Sequence, residues 1–162
     1  FQLQDSWKII SNDFSVLQFP DTKNPGQYLL AGARLENIKG TFSLGSKTFY
    51  NIILHGEYRN KTRNKLWDIV ARGELYSTGN NSGDYSVYAY LTRYFGKRWG
   101  NVGITFQNIN RSPSYIFNTN SSFNLNNNLS LSKENITIFK ATADNPFISL
   151  FAANYFITNY SV

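Results

Sequence analysis

The chain has 162 residues, no cysteine and a formal net charge of +6, and 17% of its residues are aromatic. The lack of cysteine excludes disulfide bridges, thiol nucleophiles and cysteine-ligated zinc sites. The mean hydropathy is −0.37, and no apolar run approaches the roughly 20 residues of a membrane-spanning helix. The length suits one domain with its own core, so we assign residues 1–162 to a single domain.

Residues 1–26 are the least regular part of the chain. Two short stretches alternate weakly, one around Trp7 and Ile9 and the other over residues 14–19. The Pro, Asp, Asn and Gly residues of the stretch 20–26 are typical of a turn. We therefore predict an irregular N-terminal segment, 1–26, ahead of the regular strands.

Alternation becomes clear from Leu29 to Leu35, where every second side chain is apolar. The apolar parity then changes near residues 37–40, which predicts a β-bulge or a tight turn there. Over residues 50–59 the alternation returns, with charged or polar side chains on the opposite parity. Such a pattern predicts a strand with one apolar and one polar face.

The stretch from Leu66 to Phe95 gives the strongest signal. Two alternating runs flank the sequence GNNSGD at 79–84, whose residues tolerate the positive φ angles of turns. This arrangement predicts a long antiparallel hairpin. Strands of soluble domains usually have about 5–6 residues, whereas these runs have the roughly 9–11 residues that cross a bilayer at a tilt.

The rest of the chain continues the pattern less regularly. Residues 101–107 alternate, Pro113 interrupts the next run, and residues 118–135 are rich in Asn and Ser. A last apolar strand is predicted over 147–160. In all, about eight strands follow one another in meander order, with no helical period.

Aromatic residues mark both ends of the predicted hairpin. Trp67, Phe95 and the nearby Trp99 lie at one end, and Tyr85 lies at the other. Aromatic girdles and a charged inner face are typical of outer-membrane barrels. We therefore predict an all-β fold, an antiparallel transmembrane β-barrel or a sector of a larger one.

The two parities predict which side chains face the lumen and which face lipid. The residues predicted to face the lumen are His55, Glu57, Arg59, Asp68, Arg72, Glu74 and Gln107. The residues predicted to face lipid are Ile52, Leu54, Trp67, Ile69, Val87, Leu91, Ile104 and Phe106.

Few residues point to catalysis. His55 and Glu57 share a parity and could form an acid–base pair, as in a barrel hydrolase. We favour a lumen hydrogen-bond network instead, because no nucleophile or oxyanion donor stands out. Neither a metal-ligand cluster nor a phosphate loop is present in the sequence. We therefore predict no enzyme activity and no cofactor.

A second set of residues mixes aromatic and basic side chains. It could stack on nucleobases or on a sugar, but we favour the lining of a barrel interior. The set comprises Tyr88, Tyr90, Arg93 and Tyr94. Because the basic residues are scattered and mostly fall in predicted loops, we expect no nucleic-acid partner.

Three segments resemble a porin family of Bacteroidota outer membranes: NVGITFQNINRSPSYIFN, LSLSKENIT and FAANYFITNY. The shared features are an Asn-Arg-Ser-Pro motif, a Lys-Glu-Asn segment and a final aromatic strand with an Asn-Tyr pair, and FPDTKNP near the start is also similar. The resemblance implies an outer-membrane barrel with passive transport and supplies no catalytic residues. Members of that family are much longer, and this chain lacks methionine, so we expect a part of a longer protein.

The sequence thus predicts a porin-like channel of the bacterial outer membrane for passive passage of small solutes. Its expected partners are outer-membrane lipid, the solutes and other outer-membrane proteins of a complex. One alternative is a scaffold subunit of a larger outer-membrane complex that conducts nothing. A second alternative is a soluble secreted β-sandwich that binds glycans through Tyr and Trp.

Overall fold

The computed structural model describes residues 4–123, 125 and 131–159. These residues form one antiparallel sheet of eight strands in chain order, which confirms the predicted all-β meander. The strands are β1 (Ser6–Gln18), β2 (Gln27–Phe42), β3 (Gly45–Lys61), β4 (Trp67–Gly79), β5 (Tyr85–Tyr94), β6 (Asn101–Arg111), β7 (Glu134–Asp144) and β8 (Ser149–Thr158). One 3-10 turn, Tyr115–Phe117, follows β6. No helix among the described residues has the length and apolar content needed to cross a membrane.

The sheet is open. Strands β1 and β8 are its two edges, and the described residues do not close into a barrel. Most strands are long, with 16 residues in β2 and 17 in β3. Apart from the long connection between β6 and β7, short turns join the neighbouring strands, and each such hairpin aligns the next strand directly, which accounts for the regular register.

The N-terminal segment differs from its prediction. Residues 6–18 form a continuous 13-residue strand, β1, so the prediction of an irregular segment over 1–26 is wrong for this part. The reason is that β1 is an edge strand whose residues are almost all exposed. An edge strand exposed on both faces does not need a strict alternation of apolar and polar side chains.

The pairing register divides the side chains between two faces. Directly paired residues point to the same side of a sheet, and one such row runs Glu57–Arg72–Tyr88–Gln107 across four strands. We call this side the polar face. The opposite side, which includes the row Ile69–Leu91–Ile104, is called the apolar face.

No bulge or turn occurs at residues 37–40, because β2 pairs without interruption on both sides. The irregularity lies in β4 instead, where Ser77 is skipped between the partners of Ile52 and Ile53. The apolar residues of β2 switch from odd to even positions in this region for another reason. Ile38 and Phe42 lie on the polar face, where that face is covered, and both are buried.

The cover is the segment 112–123, which we call the covering segment. It follows β6 and crosses the polar face towards β1 and β2, a lateral distance of roughly 19 Å at about 4.8 Å per strand. The Tyr115 ring stacks on Trp7 with a centroid distance of 4.6 Å. At the far end, the Ser43 backbone N–H donates to Ser122 Oγ at 2.8 Å. One end of the polar face therefore has a small core.

Candidate functional site

The charged side chains of the polar face form ion pairs across strands β1 to β4. Arg34 Nε lies 3.0 Å from Asp13 Oδ2, and its Nη2 lies 3.7 Å from Glu74 Oε1. His55 Nε2 also lies 3.0 Å from Asp13 Oδ2. Four neighbouring strands thus supply one residue each, and the carboxylates of Asp13 and Glu74 flank the two basic groups.

A second group surrounds Glu57. Arg72 Nε lies 3.0 Å from Glu57 Oε2, and the Tyr28 hydroxyl donates to Glu57 Oε1 at 2.5 Å. The Arg72 guanidinium also lies 5.7 Å from the centre of the Tyr88 ring. Because Glu57 pairs with Arg72 and Tyr28, it is not the partner of His55.

A third pair, Arg59 and Asp68, lies nearer the opposite end of the sheet, with 3.1 Å between Arg59 Nη2 and Asp68 Oδ2. The predicted network residues other than Gln107 therefore do take part in polar contacts, one set around Asp13 and another around Glu57, which Tyr28 links to the Arg59–Asp68 pair. Sequence reasoning missed three of the partners, which are Asp13, Arg34 and Tyr28. Gln107 lies on the same face, directly opposite Tyr88 in the register.

The surroundings of His55 do not form a hydrolytic centre. Ser15 Oγ donates to Asp13 Oδ1 at 2.5 Å, so Ser15 and His55 both bind the same carboxylate. A Ser nucleophile needs the imidazole itself as the acceptor of its proton. Gly32 leaves room for this contact, since a Cβ there would lie 2.5 Å from Ser15 Oγ and 2.8 Å from His55 Cε1. The arrangement links β1 to β3.

Two carboxylates tie the covering segment to the sheet. Asp84 is buried, with 5% of its surface exposed. It accepts hydrogen bonds from the backbone N–H and the Oγ of Ser112, each at 2.8 Å. Lys133 Nζ lies 2.8 Å from the same side chain. Asp84 therefore holds the chain at both ends of the long connection between β6 and β7.

Asp5 holds the far side of the covering segment. Ser121 Oγ donates to its carboxylate at 2.6 Å, and the Ser122 backbone N–H donates at 3.0 Å. Burial alone would raise the pKa of Asp5, but these hydrogen bonds from Ser121 and Ser122 hold it below the usual range. The charged form of Asp5 is thus the one that binds the segment. Burial, together with the charges of Glu36 and Asp84, raises the pKa of Tyr115.

The structure separates the aromatic and basic set predicted on β5. The register puts its three tyrosines on the polar face and Arg93 on the apolar face. There the Arg93 guanidinium lies 4.8 Å from the centres of both the Trp67 and Phe95 rings. Two of the tyrosines, Tyr90 and Tyr94, instead border an open groove of about 390 Å³, together with Lys61 and Asp68. The set is therefore not one stacking platform.

The residues predicted to face the lumen and the residues predicted to face lipid lie on opposite faces of the sheet. All seven residues predicted to face a lumen lie on the polar face. All eight residues predicted to face lipid lie on the apolar face. No group of three or more His, Asp or Glu side chains among the described residues is arranged to hold a metal ion. What each face contacts stays a prediction.

Comparison of the chain with protein-family models, with curated proteins and with solved structures gives no match.

Proposed function

We propose that the chain is a sector of a β-barrel in a bacterial outer membrane, with the polar face along a passage for small solutes. The observation that carries this proposal is the uncovered apolar face. Phe14 is 77% exposed, Ile104 58% and Leu54 49%. Eight strands at about 4.8 Å make this face more than 30 Å wide, and soluble monomers rarely expose apolar patches above a few hundred Å².

The apolar band runs obliquely to the strands, which supports a tilted arrangement. In β2 the band spans Leu29–Leu35, and in β7 it spans Phe139–Ala143. Following the pairing across the sheet, Ala141 is level with Gln27. The two band centres are thus about five residues, or roughly 17 Å, apart along the strands and roughly 24 Å apart across them. The resulting angle of about 35° matches the tilt of about 35–45° in membrane barrels.

The rims of the apolar face also fit a bilayer. Its strand positions carry three charged residues, Lys8, Lys39 and Arg93, and no acidic residue. Each cation lies near an end of its strand, where a long basic side chain reaches the interface. On β5, Tyr85 and Arg93 enclose a stretch of roughly 26 Å along the strand. At a tilt of about 35° this height approaches the roughly 25 Å apolar band of such barrels.

The unprotected edge of strand β8 favours a sheet that is one part of a larger barrel over a sheet that stands alone. All ten of its residues are exposed, and its sequence contains neither a charged residue nor a proline. Soluble proteins protect their edge strands with such residues, because an open edge pairs with other chains. A further strand of the same barrel is the natural partner for this edge.

A non-conducting scaffold is the second candidate, and the covering segment favours it. The segment crosses the polar face and is held at Asp5 and at Asp84. If it occludes the passage fully, the barrel transports no solutes. Its role would then be to bind other outer-membrane proteins. Single-channel conductance separates the two functions, because only the porin would conduct.

The deciding experiment is detergent extraction of the natural protein, followed by intact-mass measurement and recording in planar bilayers. We expect a detergent-dependent protein several times heavier than 18.6 kDa, with stepwise conductance. Conductance from a protein near 18.6 kDa would contradict a sector, since eight closed strands leave a lumen filled by side chains. Full solubility without detergent would contradict the membrane proposal and instead favour a soluble glycan-binding protein, although the single sheet is not the sandwich that the sequence suggested.

The variant Arg72→Ala tests the role of the polar face. Arg72 is more than half exposed and its partner Glu57 is not, so its loss should cost folding less than about 1 kcal/mol. It leaves an unpaired negative charge beside the passage, so we expect the reversal potential in a salt gradient to shift towards cation selectivity. Arg63→Ala, which removes an ion pair with Asp21 in the turns, serves as the matched control. An equal shift in both variants would contradict the assignment of the polar face.

A further inference from the structure

We infer that Lys8 and Lys39 bind the phosphate group of an anionic membrane lipid at one rim of the apolar face. This inference rests on the proposed membrane location and adds a lipid class to it. The two residues are directly paired across β1 and β2, which brings their Cβ atoms to about 4.5–5.5 Å. Like charges in that relation repel each other and destabilise a sheet, so a bound anion would relieve an existing strain between them.

Among the residues that the structure describes, none supplies a counter-charge at this place. Six other cations of the described residues form ion pairs: Arg34, Arg59, Arg63, Arg72, Arg111 and Lys133. Lys8 and Lys39 have no carboxylate within 4.0 Å among the residues that the structure describes. The strand positions of the apolar face contain no Asp or Glu that could move into contact. Since the described residues do not supply the counter-ion, we assign it to a bound anion.

The neighbours of the two lysines resemble a head-group environment on one side and an acyl-chain environment on the other. Beside the lysines and towards the strand ends, the same face carries short hydroxyl side chains: Thr48 directly opposite Lys39, and Ser6, Thr41 and Ser46 nearer the ends. Towards the sheet centre it carries exposed apolar side chains, among them Ile10, Leu35, Tyr50 and Ile52. Lys39 and Leu35 are four residues apart, or roughly 13 Å. A lipid with its chains on the apolar residues would place its phosphate at the lysines.

A lipid is favoured over a protein partner because of how the charge is distributed. The cations lie at the rim and the apolar residues lie inward, in the order in which a phospholipid presents phosphate and hydrocarbon. Two ammonium groups on adjacent strands can share one phosphate through charge-assisted hydrogen bonds. The hydroxyl groups beside them can donate to the remaining phosphate oxygens.

The test uses the natural protein, purified in a non-ionic detergent and stripped of lipid. Phosphatidylglycerol and phosphatidylcholine are titrated as mixed micelles, and bound lipid is counted by native mass spectrometry. We expect wild-type protein to prefer phosphatidylglycerol and the double variant Lys8→Gln/Lys39→Gln to lose about 30-fold of that preference, the combined effect of two lysines at an anionic surface. Lys8→Arg/Lys39→Arg should keep it.

The matched control is Lys47→Gln/Lys140→Gln, which removes the same charge from the polar face. It should leave the lipid preference unchanged. An equal loss in both double variants would overturn the site, and so would unchanged preference after Lys8→Gln/Lys39→Gln. Displacement of bound phosphatidylglycerol by millimolar inorganic phosphate in the same detergent would show a free-phosphate site and overturn the lipid assignment. Failure of the membrane proposal is seen separately, as solubility without detergent.

Discussion

Replacing Ala89 by arginine is expected to lower the free energy of unfolding in lipid by about 2–4 kcal/mol. Ala89 lies on the apolar face of β5, four residues from Tyr85 and four from Arg93. In a bilayer this position is near the midplane, where an arginine must leave water or distort the lipid. The measurement is urea unfolding of the natural protein and its variant in vesicles, followed by tryptophan fluorescence.

Gln107→Arg is the control for this experiment. Its side chain lies on the polar face of the neighbouring strand, so the added charge stays in water and the expected change is within about 0.5 kcal/mol. Equal tolerance of both arginines would show that the apolar face does not contact lipid. Equal destabilisation would show that both faces are covered by protein.

The second large effect is expected for Asp84→Ala. The substitution removes a buried carboxylate that binds Ser112 and Lys133, and we expect it to cost about 2–4 kcal/mol. Because these bonds hold both ends of the connection between β6 and β7, the covering segment should separate from the polar face. Two measurements follow this release: trypsin cleavage after Lys133 should become faster, and single-channel conductance should increase.

Asp21→Ala provides the comparison, since it also removes an aspartate with an ion pair. Arg63 is more than half exposed and its partner Asp21 is about one third exposed, so the loss should stay below about 1 kcal/mol and leave cleavage and conductance unchanged. If Asp84→Ala weakened folding without either of the two effects on the segment, Asp84 would be a structural residue of the turn and not the tie of the covering segment.

The central strands could be predicted from the sequence because their two faces have constant surroundings. From β3 to β5 one side is apolar and exposed while the other is charged, so alternation identifies both the strands and the faces. The turn at 79–84 also follows from its residues, and Gly79 and Gly83 adopt φ angles of 112° and 81°. Such positive angles favour glycine.

The parts that were missed depend on contacts between distant residues. Asp13 and Arg34 are 21 residues apart, and Asp13 and His55 are 42 apart, so their pairing follows only from the register of three strands. The parity change in β2 has a similar origin, because Ile38 is buried at the end of the face where a segment more than 70 residues later in the chain stacks on Trp7. A local pattern records which side is buried but not what covers it.

The covering segment also bears on the cooperativity of the sheet. The backbone of each strand lies beside only its neighbours in the chain, so apart from side-chain links such as Asp13–His55 the strands could separate one at a time from either edge, as repeats do in a linear array. The hydrogen bond between Asp5 and Ser121 joins residues 116 positions apart and links the first edge to the connection after β6. Separation of β1 must then break this link as well, which makes unfolding of the first six strands closer to a single concerted step.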